Sequence, residues 1–506
     1  MATIRFQMTA RRYTCRYALH RLLALLGVGA CAGLLLATSP GARAQGLGSI
    51  EVQAGSFATA STGERLPFWL GANQRGAVDP TSTNAGLRLG AYRPFEESPG
   101  LKYAFGADVL GRASQNGTVA VQELYGRLRY GPAQVTVGRR GRVVGRIDTS
   151  LSMGSVTWSQ NAPPPTRISA SSNGYLPVPG LGDVAAIRGY FAHGWFGDDR
   201  FTSGALLHEK SLYLRLLPPS SPVTAHAGLV HHAMWGGDSP LRGPQEVSLR
   251  QWANVSFGLN IAGRPTQTQG ETDQVDANHV AMYDFSLDVD LGTAKGRVYR
   301  QFYIEDTPGL WFRNVWDGLW GARIQLKDSE ALVHTLLWEH LRMTRQGAQF
   351  DQGEDRGADG YYNHFKYKGG WTYRGRTLGT PLLTPASATP GLSDNLPGVG
   401  NNIVVAHHLG VEGNFRSGLS YRVLGTYSRN YGAANKVCGS PRCRSTTSRL
   451  IGRQDQWSFR LGVRGPLVEQ YNLRFRAAAA LDTGEFYGER VGLQIGVQWR
   501  GLYSIE

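Results

Sequence analysis

Apolar and polar residues alternate with a period of two along several stretches of the chain. In the clearest stretch, residues 491–500, the odd-numbered positions are apolar and the even-numbered positions are Gly, Gln or Arg. The same pattern recurs in residues 285–291, 457–464 and 473–479. This period is that of a β-strand with one apolar and one polar face, so the pattern predicts an all-β protein.

Two further features favour a transmembrane antiparallel β-barrel over a soluble sandwich, whose strands also alternate. The polar faces carry Arg, Asp, Gln and Gly, as a water-filled lumen requires, and aromatic residues fall at strand ends, where interface girdles lie. Short turns alternate with long Gly-, Pro- and Ser-rich connections such as residues 384–402 and 432–452. Short turns at one end and long loops at the other are typical of outer-membrane barrels.

The length of the chain bounds the number of strands. At roughly 25 residues per strand, residues 45–506 suggest about 16 to 18 strands. Side chains alone cannot fill so wide a barrel, so its lumen is either a channel or filled by inward-folded chain. We expect a filled lumen, with residues 45–85 as an N-terminal periplasmic or plug segment and residues 86–506 as the barrel.

The first 44 residues have the features of a secretory signal. Four arginines from Arg11 to Arg21 precede an apolar run at residues 22–37, and the small-residue site Ala42-Arg43-Ala44 follows. The run is shorter than the about 20 residues of a spanning helix. We therefore expect cleavage between Ala44 and Gln45 and export from the cytoplasm.

The chain has a formal net charge of +15, with 53 basic and 38 acidic residues. Removal of the signal, which carries six arginines and no acid, lowers the net charge to about +9. Such a surplus suits acidic polysaccharide, lipopolysaccharide phosphate or nucleic acid. Export argues against nucleic acid as a partner.

Two of the four cysteines lie in the signal, which leaves Cys438 and Cys443. They flank a Gly/Pro turn, and an exported protein folds in an oxidising compartment. No His or further Cys lies close in sequence, so the spacing favours a disulfide over a metal site. We expect the bridge in an external loop, and we expect no metal and no cofactor.

Several strings of residues, in order along the chain, resemble the Wzi family of capsule-assembly outer-membrane proteins. The longest is LSMGSVTWSQNAP at residues 151–163. The others are LHEKS at 207–211, HHAMWGG at 231–237, YRQ at 299–301, DGLWG at 317–321, YYNH at 361–364, GWTY at 370–373, GTP at 379–381 and YSRNYG at 427–432.

The resemblance implies a barrel of about eighteen strands, closed by a plug, that acts as a lectin and holds capsular polysaccharide on the cell surface. Its other partners would be the lipid and lipopolysaccharide of the outer membrane, and we expect a monomer. The periplasmic helical bundle described for some members would need amphipathic helices. Residues 45–85 do not show them.

Candidate polysaccharide-binding residues fall in two groups. Trp316, Asp317 and Trp320 offer indole and carboxylate surfaces for a sugar, although a turn with interface tryptophans is the simpler interpretation. Arg460 and Arg464 lie on polar strand faces with Arg127, Arg129, Arg474 and Arg476. These arginines either form a cationic lumen or pair with lumen acids such as Asp288 and Asp290.

No string predicts a catalytic site. His208, Glu209 and Lys210 lack a nucleophile at fixed spacing, and the adjacent histidines 231–232 and 407–408 point to opposite faces of a strand. We therefore expect a non-enzymatic polysaccharide attachment protein. The alternatives are a porin for solutes or sugars and an outer-membrane enzyme acting on lipid or peptide.

Overall fold

A computed structural model describes residues 48–96, 99–257, 277–305, 307–312, 314–346, 360–364, 366–392, 396–438 and 446–505. Along its strands the apolar side chains face outwards and the polar ones face inwards. Leu493 is 58% exposed, for example, whereas the neighbouring Gln494 is 7% exposed. This reversal of the usual burial pattern is that of a sheet surrounded by lipid.

The strands run in chain order as follows: β1 Gly48–Ser61, β2 Asn84–Arg93, β3 Leu101–Ala113, β4 Thr118–Tyr130, β5 Ala133–Arg139, β6 Thr166–Ser172, β7 Leu176–Val178, β8 Gly182–Trp195, β9 Leu206–Leu216, β10 Val223–Trp235, β11 Asp238–Ser239, β12 Gly243–Pro244, β13 Ala277–Asp290, β14 Ala294–Ile304, β15 Gly318–Leu326, β16 Thr335–Met343, β17 Thr372–Tyr373, β18 Arg376–Thr377, β19 Thr384–Pro385, β20 Val399–Asn401, β21 Val404–Asn414, β22 Ser420–Cys438, β23 Thr446–Val468, β24 Leu473–Gly484 and β25 Arg490–Ile505. The helices are α1 Phe68–Gly71, α2 Leu249–Phe257 and α3 Thr307–Leu310, with 3-10 turns at Ala386–Ala388 and Glu469–Tyr471.

The large sheet closes into a barrel because β1 pairs with β25 on one side and with β2 on the other, both antiparallel. The short strands β11, β12 and β17 to β20 lie in connections and pair only with one another. Both β6 and β7 pair with β8, so they share one position in the wall. Eighteen antiparallel positions result, which confirms the predicted fold class and the favoured strand number.

The connections differ in length at the two ends of the barrel. One end carries the long connections at residues 62–83, 140–165, 236–276 and 344–403, and the other carries short turns such as 131–132 and 291–293. In outer-membrane barrels the long connections face the outside and the short turns face the periplasm. We call these ends the outer end and the periplasmic end.

The first barrel strand begins earlier than the sequence predicted. β1 lies within residues 45–85, which we assigned to a periplasmic or plug segment, but it forms part of the wall along its whole length. The strand was missed because small residues, including Ala54, Ser56 and Ala58, occupy many of its positions and weaken the alternation. The barrel therefore begins near Gly48 rather than at residue 86.

The predicted loop at residues 432–452 is also shorter than expected. β22 continues to Cys438 and β23 begins at Thr446, and these two residues are register partners. Residues 439–445 lie outside the described part of the chain, so the predicted disulfide between Cys438 and Cys443 stays a prediction. The predicted signal peptide and its cleavage site also lie outside the described residues.

Helix α2 packs on the outside of the barrel wall near the outer end. Its Val255 is buried with Ala233, Trp235 and Ala277 of strands β10 and β13. The Nζ atom of Lys210 donates a hydrogen bond to the carbonyl oxygen of Ser256. Among the described residues, no helix is long and apolar enough to cross a bilayer.

Candidate functional site

The connection between β5 and β6, residues 140–165, contacts inward-facing side chains of distant strands, and we call it the inner segment. It contains the string LSMGSVTWSQNAP at residues 151–163. Leu151, Met153 and Val156 are fully buried and belong to the largest apolar cluster of the described structure. The inner segment is irregular chain in the structure, so its backbone groups need partners outside any ladder.

Glu339, an inward-facing residue of β16, supplies several of these partners. Its carboxylate accepts hydrogen bonds from the Ser152 hydroxyl at 2.6 Å, from the Met153 N–H at 2.7 Å and from the Tyr299 hydroxyl at 2.5 Å. The side chain is fully buried. One carboxylate thus joins the inner segment to strands β14 and β16.

Three other wall residues bind the inner segment in the same way. The Gln301 side-chain oxygen accepts the Val156 N–H at 3.1 Å, and the Asp284 carboxylate accepts the Arg146 N–H at 2.9 Å. The Nε2 atom of His408 lies 2.7 Å from the carbonyl oxygen of Leu151. Strands β13, β14, β16 and β21 therefore all hold the inner segment through polar side chains.

A buried ionic cluster fixes the start of the inner segment. Glu209 of β9 lies 3.5 Å from Arg142 and 3.7 Å from Arg167, and its carboxylate also accepts a hydrogen bond from the Tyr190 hydroxyl at 3.2 Å. His232 places its Nδ1 atom 3.5 Å from the same carboxylate. Two arginines around one buried acid satisfy the charge that burial would otherwise make costly.

Asp148 organises a tight turn within the inner segment. Its carboxylate accepts the N–H groups of Ser150 and Leu151, each at 2.8 Å, and pairs with the Nε atom of Arg323 at 2.7 Å. Burial alone would raise the pKa of Asp148. The N–H donors and the guanidinium outweigh burial, so the pKa lies below its ordinary value.

A second segment covers the inner segment on the outer side. It comprises the described residues within 360–402, and we call it the cap segment. The Trp371 indole N–H donates to the Thr157 carbonyl at 2.8 Å, and the Ser159 hydroxyl donates to the Gly379 carbonyl at 2.6 Å. The Tyr362 hydroxyl donates to the Val156 carbonyl. The wall and the cap segment therefore hold the inner segment from two sides.

Gly379 shows how closely the two segments approach. A Cβ atom at this position would lie 1.7 Å from the Tyr362 hydroxyl oxygen and 2.6 Å from the Val156 carbonyl oxygen. Only glycine fits there without displacing one of these groups. The strings YYNH, GTP and LSMGSVTWSQNAP thus meet in space, although the contacting residues are 206 to 227 positions apart in sequence.

The structure separates the predicted residues Trp316, Asp317 and Trp320. The Asp317 carboxylate is buried and accepts the N–H groups of Thr344, Arg345 and Gln346 at 2.8 to 3.2 Å. It also accepts the Tyr361 hydroxyl at 3.0 Å.

Burial raises the pKa of Asp317 despite these donors. Asp317 therefore anchors the loops at the outer end, and no free face of its carboxylate is left for a sugar.

The two predicted tryptophans both lie at the surface. Trp316 is 56% exposed in the connection before β15. Trp320 is 37% exposed on the outward face of β15, and the Cζ atom of Arg300 lies 4.6 Å from the centroid of its indole ring. The neighbouring Trp311, which belongs to none of the quoted strings, is 73% exposed. Indole rings at this level of a barrel lie near the membrane interface.

Arg460 and Arg464 lie elsewhere, in a lumen cavity of about 1260 Å³ near the periplasmic end. Arg474 and Arg476 line the same cavity. Arg127 and Arg129, by contrast, bind the Gln134 side chain and stack on Phe95. The acids that the sequence offered as partners, Asp288 and Asp290, pair instead with Arg146, Arg297 and Lys327.

The adjacent histidines point to opposite faces of the wall, as the sequence predicted. His231 contacts His279 on the outside at 2.9 Å, while His232 faces Glu209 inside. His407 packs on His340, while His408 binds the inner segment. Within the described residues, no group of three or more His, Cys, Asp or Glu side chains could hold a metal ion.

Known structures resemble this barrel at low sequence identity. Wzi of Escherichia coli, an outer membrane protein involved in group 1 capsule assembly and described as a carbohydrate-binding β-barrel, is 13% identical. The alignment covers 88% of this chain and 83% of that one, with a TM-score of 0.54. Pseudomonas aeruginosa OpdL is 9% identical over 90% of this chain and 98% of its own, with a TM-score of 0.43. No curated protein matches the chain by sequence.

The sequence model of one family matches residues 51–388, which is more than half of the chain and includes the inner segment and most of the cap segment. That family is described as capsule assembly protein Wzi. The strings YYNH, GTP and LSMGSVTWSQNAP, which meet inside the barrel, all lie within the matched residues. This outer-membrane β-barrel therefore belongs to the Wzi capsule assembly family.

Proposed function

We propose that this protein attaches capsular or related surface polysaccharide to the outer membrane by binding it as a lectin, without catalysis. The observation that carries the proposal is the family match over residues 51–388. The E. coli member with the same fold is described as a carbohydrate-binding barrel. The barrel supplies the anchor, and the long connections at its outer end supply the surface that faces the capsule.

We infer that the lumen is occluded rather than open. The inner segment is hydrogen-bonded to the wall through Glu339, Gln301 and Asp284, and the cap segment covers it. A pore for solutes would need a continuous water path where these buried contacts lie. An attachment protein needs no such path, so this packing favours the lectin over the porin.

Sugar binding at the outer end would rest on exposed aromatic rings. Trp311 and Trp316 offer apolar faces on which sugar rings can stack, and they lie in one connection. A polymer presents the same unit many times, so weak contacts at several protein copies add up to firm retention. Lipopolysaccharide surrounds such a barrel in the membrane, and a monomer suffices for this mode of attachment.

Deletion of the gene in an encapsulated host tests the function directly. Cells that lack the protein should still make polysaccharide but release it into the medium, and the intact gene should restore attachment. Capsule that stays on the deleted cells would refute the proposal. A version carrying both Trp311→Ala and Trp316→Ala should restore attachment poorly, whereas Trp338→Ala, on the lipid-facing wall, should restore it fully.

Planar-bilayer conductance separates the lectin from the porin. The purified protein should be nearly silent, because the inner and cap segments fill the lumen. A steady current of porin size would contradict the inference of an occluded lumen. Incubation with lipid A and peptide substrates completes the comparison, and product formation would support the enzyme instead.

A further inference from the structure

The cavity at the periplasmic end of the lumen has the composition of a ligand site. Its upper boundary is the underside of the inner segment, including Ser150 and Ser152, and its lower boundary includes the turn residues Ser417, Gly418 and Asn472. The cavity measures about 1260 Å³. Ordinary small-molecule pockets measure about 300 to 1,000 Å³, so this space can hold more than one sugar ring.

Positive charge predominates in the lining. Six arginines face four acids there, and three of the four acids each pair with an arginine. Asp148 pairs with Arg323 at 2.7 Å, Glu412 pairs with Arg422 at 2.6 Å, and Glu51 lies 3.9 Å from Arg500. Among the described residues, the remaining arginines have no acid within ion-pair distance; these are Arg460, Arg464, Arg474 and Arg476.

The register of the strands concentrates these charges. Arg464 of β23 and Arg476 of β24 are direct cross-strand partners, and Arg474 is the partner of Pro466 two positions away. Like charges directly opposite each other on a sheet are destabilising, and a neighbouring acid would normally relieve them. Among the described residues, no ion pair joins Arg464 or Arg476 to an acid, so this pair is open to an anion from outside the chain.

Glycines on the wall leave room for the guanidinium groups. Arg460 lies over Gly462, where a Cβ atom would be 3.4 Å from the Nη1 atom of the arginine. Arg476 lies over Gly496, where a Cβ atom would be 2.8 Å from its Nε atom. The guanidinium groups thus lie along the wall and leave the centre of the cavity free for a ligand.

We propose that this cavity binds an acidic oligosaccharide segment, whose carboxylates the arginines hold. Guanidinium groups bind carboxylates with paired hydrogen bonds. The amides of Gln494, Gln498 and Asn73 line the same space and suit sugar hydroxyls. The site faces the periplasmic end, so it is distinct from the outer surface of the proposed function and does not rest on it.

Calorimetric titration of the purified full chain in detergent tests the site. The probes are trigalacturonate, the neutral maltotriose, and inorganic phosphate. Trigalacturonate should bind at least about tenfold more tightly than either other probe, since each lost charged hydrogen bond weakens binding by about that factor. Its affinity should fall as salt is raised.

The test variant carries Arg464→Gln and Arg476→Gln, and the matched control carries Arg127→Gln and Arg129→Gln. Both remove two positive charges from the lumen wall, but the control residues lie outside the cavity. The test variant should lose at least about tenfold in affinity for trigalacturonate, and the control should change less than twofold. If the test variant fails to fold, Arg460→Gln alone should weaken binding by severalfold.

Three outcomes would overturn the proposal. These are equal affinity for trigalacturonate and maltotriose, equal losses in test and control variants, and phosphate binding as tight as that of trigalacturonate. Titration of the double variant Trp311→Ala and Trp316→Ala distinguishes the cavity from the outer surface. It should bind trigalacturonate in the cavity as the unchanged protein does, even if attachment of capsule fails.

Discussion

Polar side chains have different surroundings in the two halves of the lumen. Near the outer end, Glu339, Gln301 and Asp284 are buried, and each is hydrogen-bonded to the inner segment. Near the periplasmic end, Arg464 and Arg476 face each other across the strands and line open space. Both halves use inward-facing wall positions, on β13, β14 and β16 in the first case and on β23 and β24 in the second, so the difference lies in what each side chain contacts.

This difference separates stability from recognition. A buried polar group whose partners are part of the chain costs stability when it is removed, because its partners are left without hydrogen bonds. A charged group that faces water and lacks a partner contributes little to folding, and it is available to a ligand. Substitutions in the outer half should therefore affect folding, and those in the periplasmic half should affect binding.

Glu339→Ala should have the largest effect on the folded structure. It removes the acceptor of three buried hydrogen bonds and leaves the Ser152 hydroxyl, the Met153 N–H and the Tyr299 hydroxyl unsatisfied. The expected loss of stability is about 3 kcal/mol or more, and its main result is release of the inner segment from the wall. Protease cleavage within residues 140–165 and new conductance should report it. Glu330→Ala, in an exposed turn, is the control, and equal resistance of both variants would contradict the assignment.

Gly379→Ala should be the next most disruptive change. The added methyl group would overlap the Tyr362 hydroxyl, which must then leave the Val156 carbonyl. We expect a loss of about 1 to 3 kcal/mol from overpacking, measured as a lower unfolding temperature in detergent. Gly126→Ala adds the same methyl group to the wall, where nothing lies within 4 Å, and should be nearly neutral. A normal unfolding temperature for Gly379→Ala would show that the two segments are not so closely packed.

Asp317→Asn should change the pH dependence more than the stability itself. Burial raises the pKa of Asp317 in the folded protein, so the folded state holds its proton more tightly than the unfolded state. The contribution of this group is fully present below its ordinary pKa of about 3.9 and is lost as pH rises through the raised value. Unfolding temperatures measured between pH 4 and 7 should fall less with pH in the variant. The prediction is refuted if the unfolding temperature falls equally with pH in the variant and in the unchanged protein.

Arg464→Gln should have the smallest effect on folding. It removes one of two like charges at a cross-strand pair, so the unfolding temperature should stay the same or rise slightly, by less than about 1 kcal/mol in stability. The same variant should bind trigalacturonate more weakly. A clear loss of stability would show that Arg464 stabilises the barrel wall. It would contradict the difference between the two halves of the lumen.

Much of the architecture follows from the sequence because the barrel wall obeys a local rule. The alternation in residues 285–291 and 491–500 predicted both the strand and the direction of each face, and the outward exposure of Leu493 agrees with it. β1 escaped notice because its small residues give little contrast between the faces. The pairing of β1 with β25 is a contact between distant residues that no local pattern reveals.

Less of the candidate site than of the barrel wall could be predicted from the sequence. The strings at 151–163, 361–364 and 379–381 pointed to the family, but no spacing shows that they pack on one another. Asp317 looked like a sugar ligand because exposed and buried carboxylates are identical in a sequence. The arginines of β23 and β24 were visible as polar-face residues, but only the register places Arg464 opposite Arg476 and leaves both without an acid among the described residues.

The closure of the barrel by β1 and β25 has a consequence for chain entropy. Gly48 pairs with Ile505, so nearly the whole described chain lies within the loop that this contact closes. Loop entropy grows only logarithmically with length, by about 0.6 kcal/mol for each doubling. Compared with a hairpin loop of about 30 residues, closing this one costs about 2 to 3 kcal/mol more. Fourteen register partners along the seam offset that cost together, so the seam is held by its length rather than by any one residue.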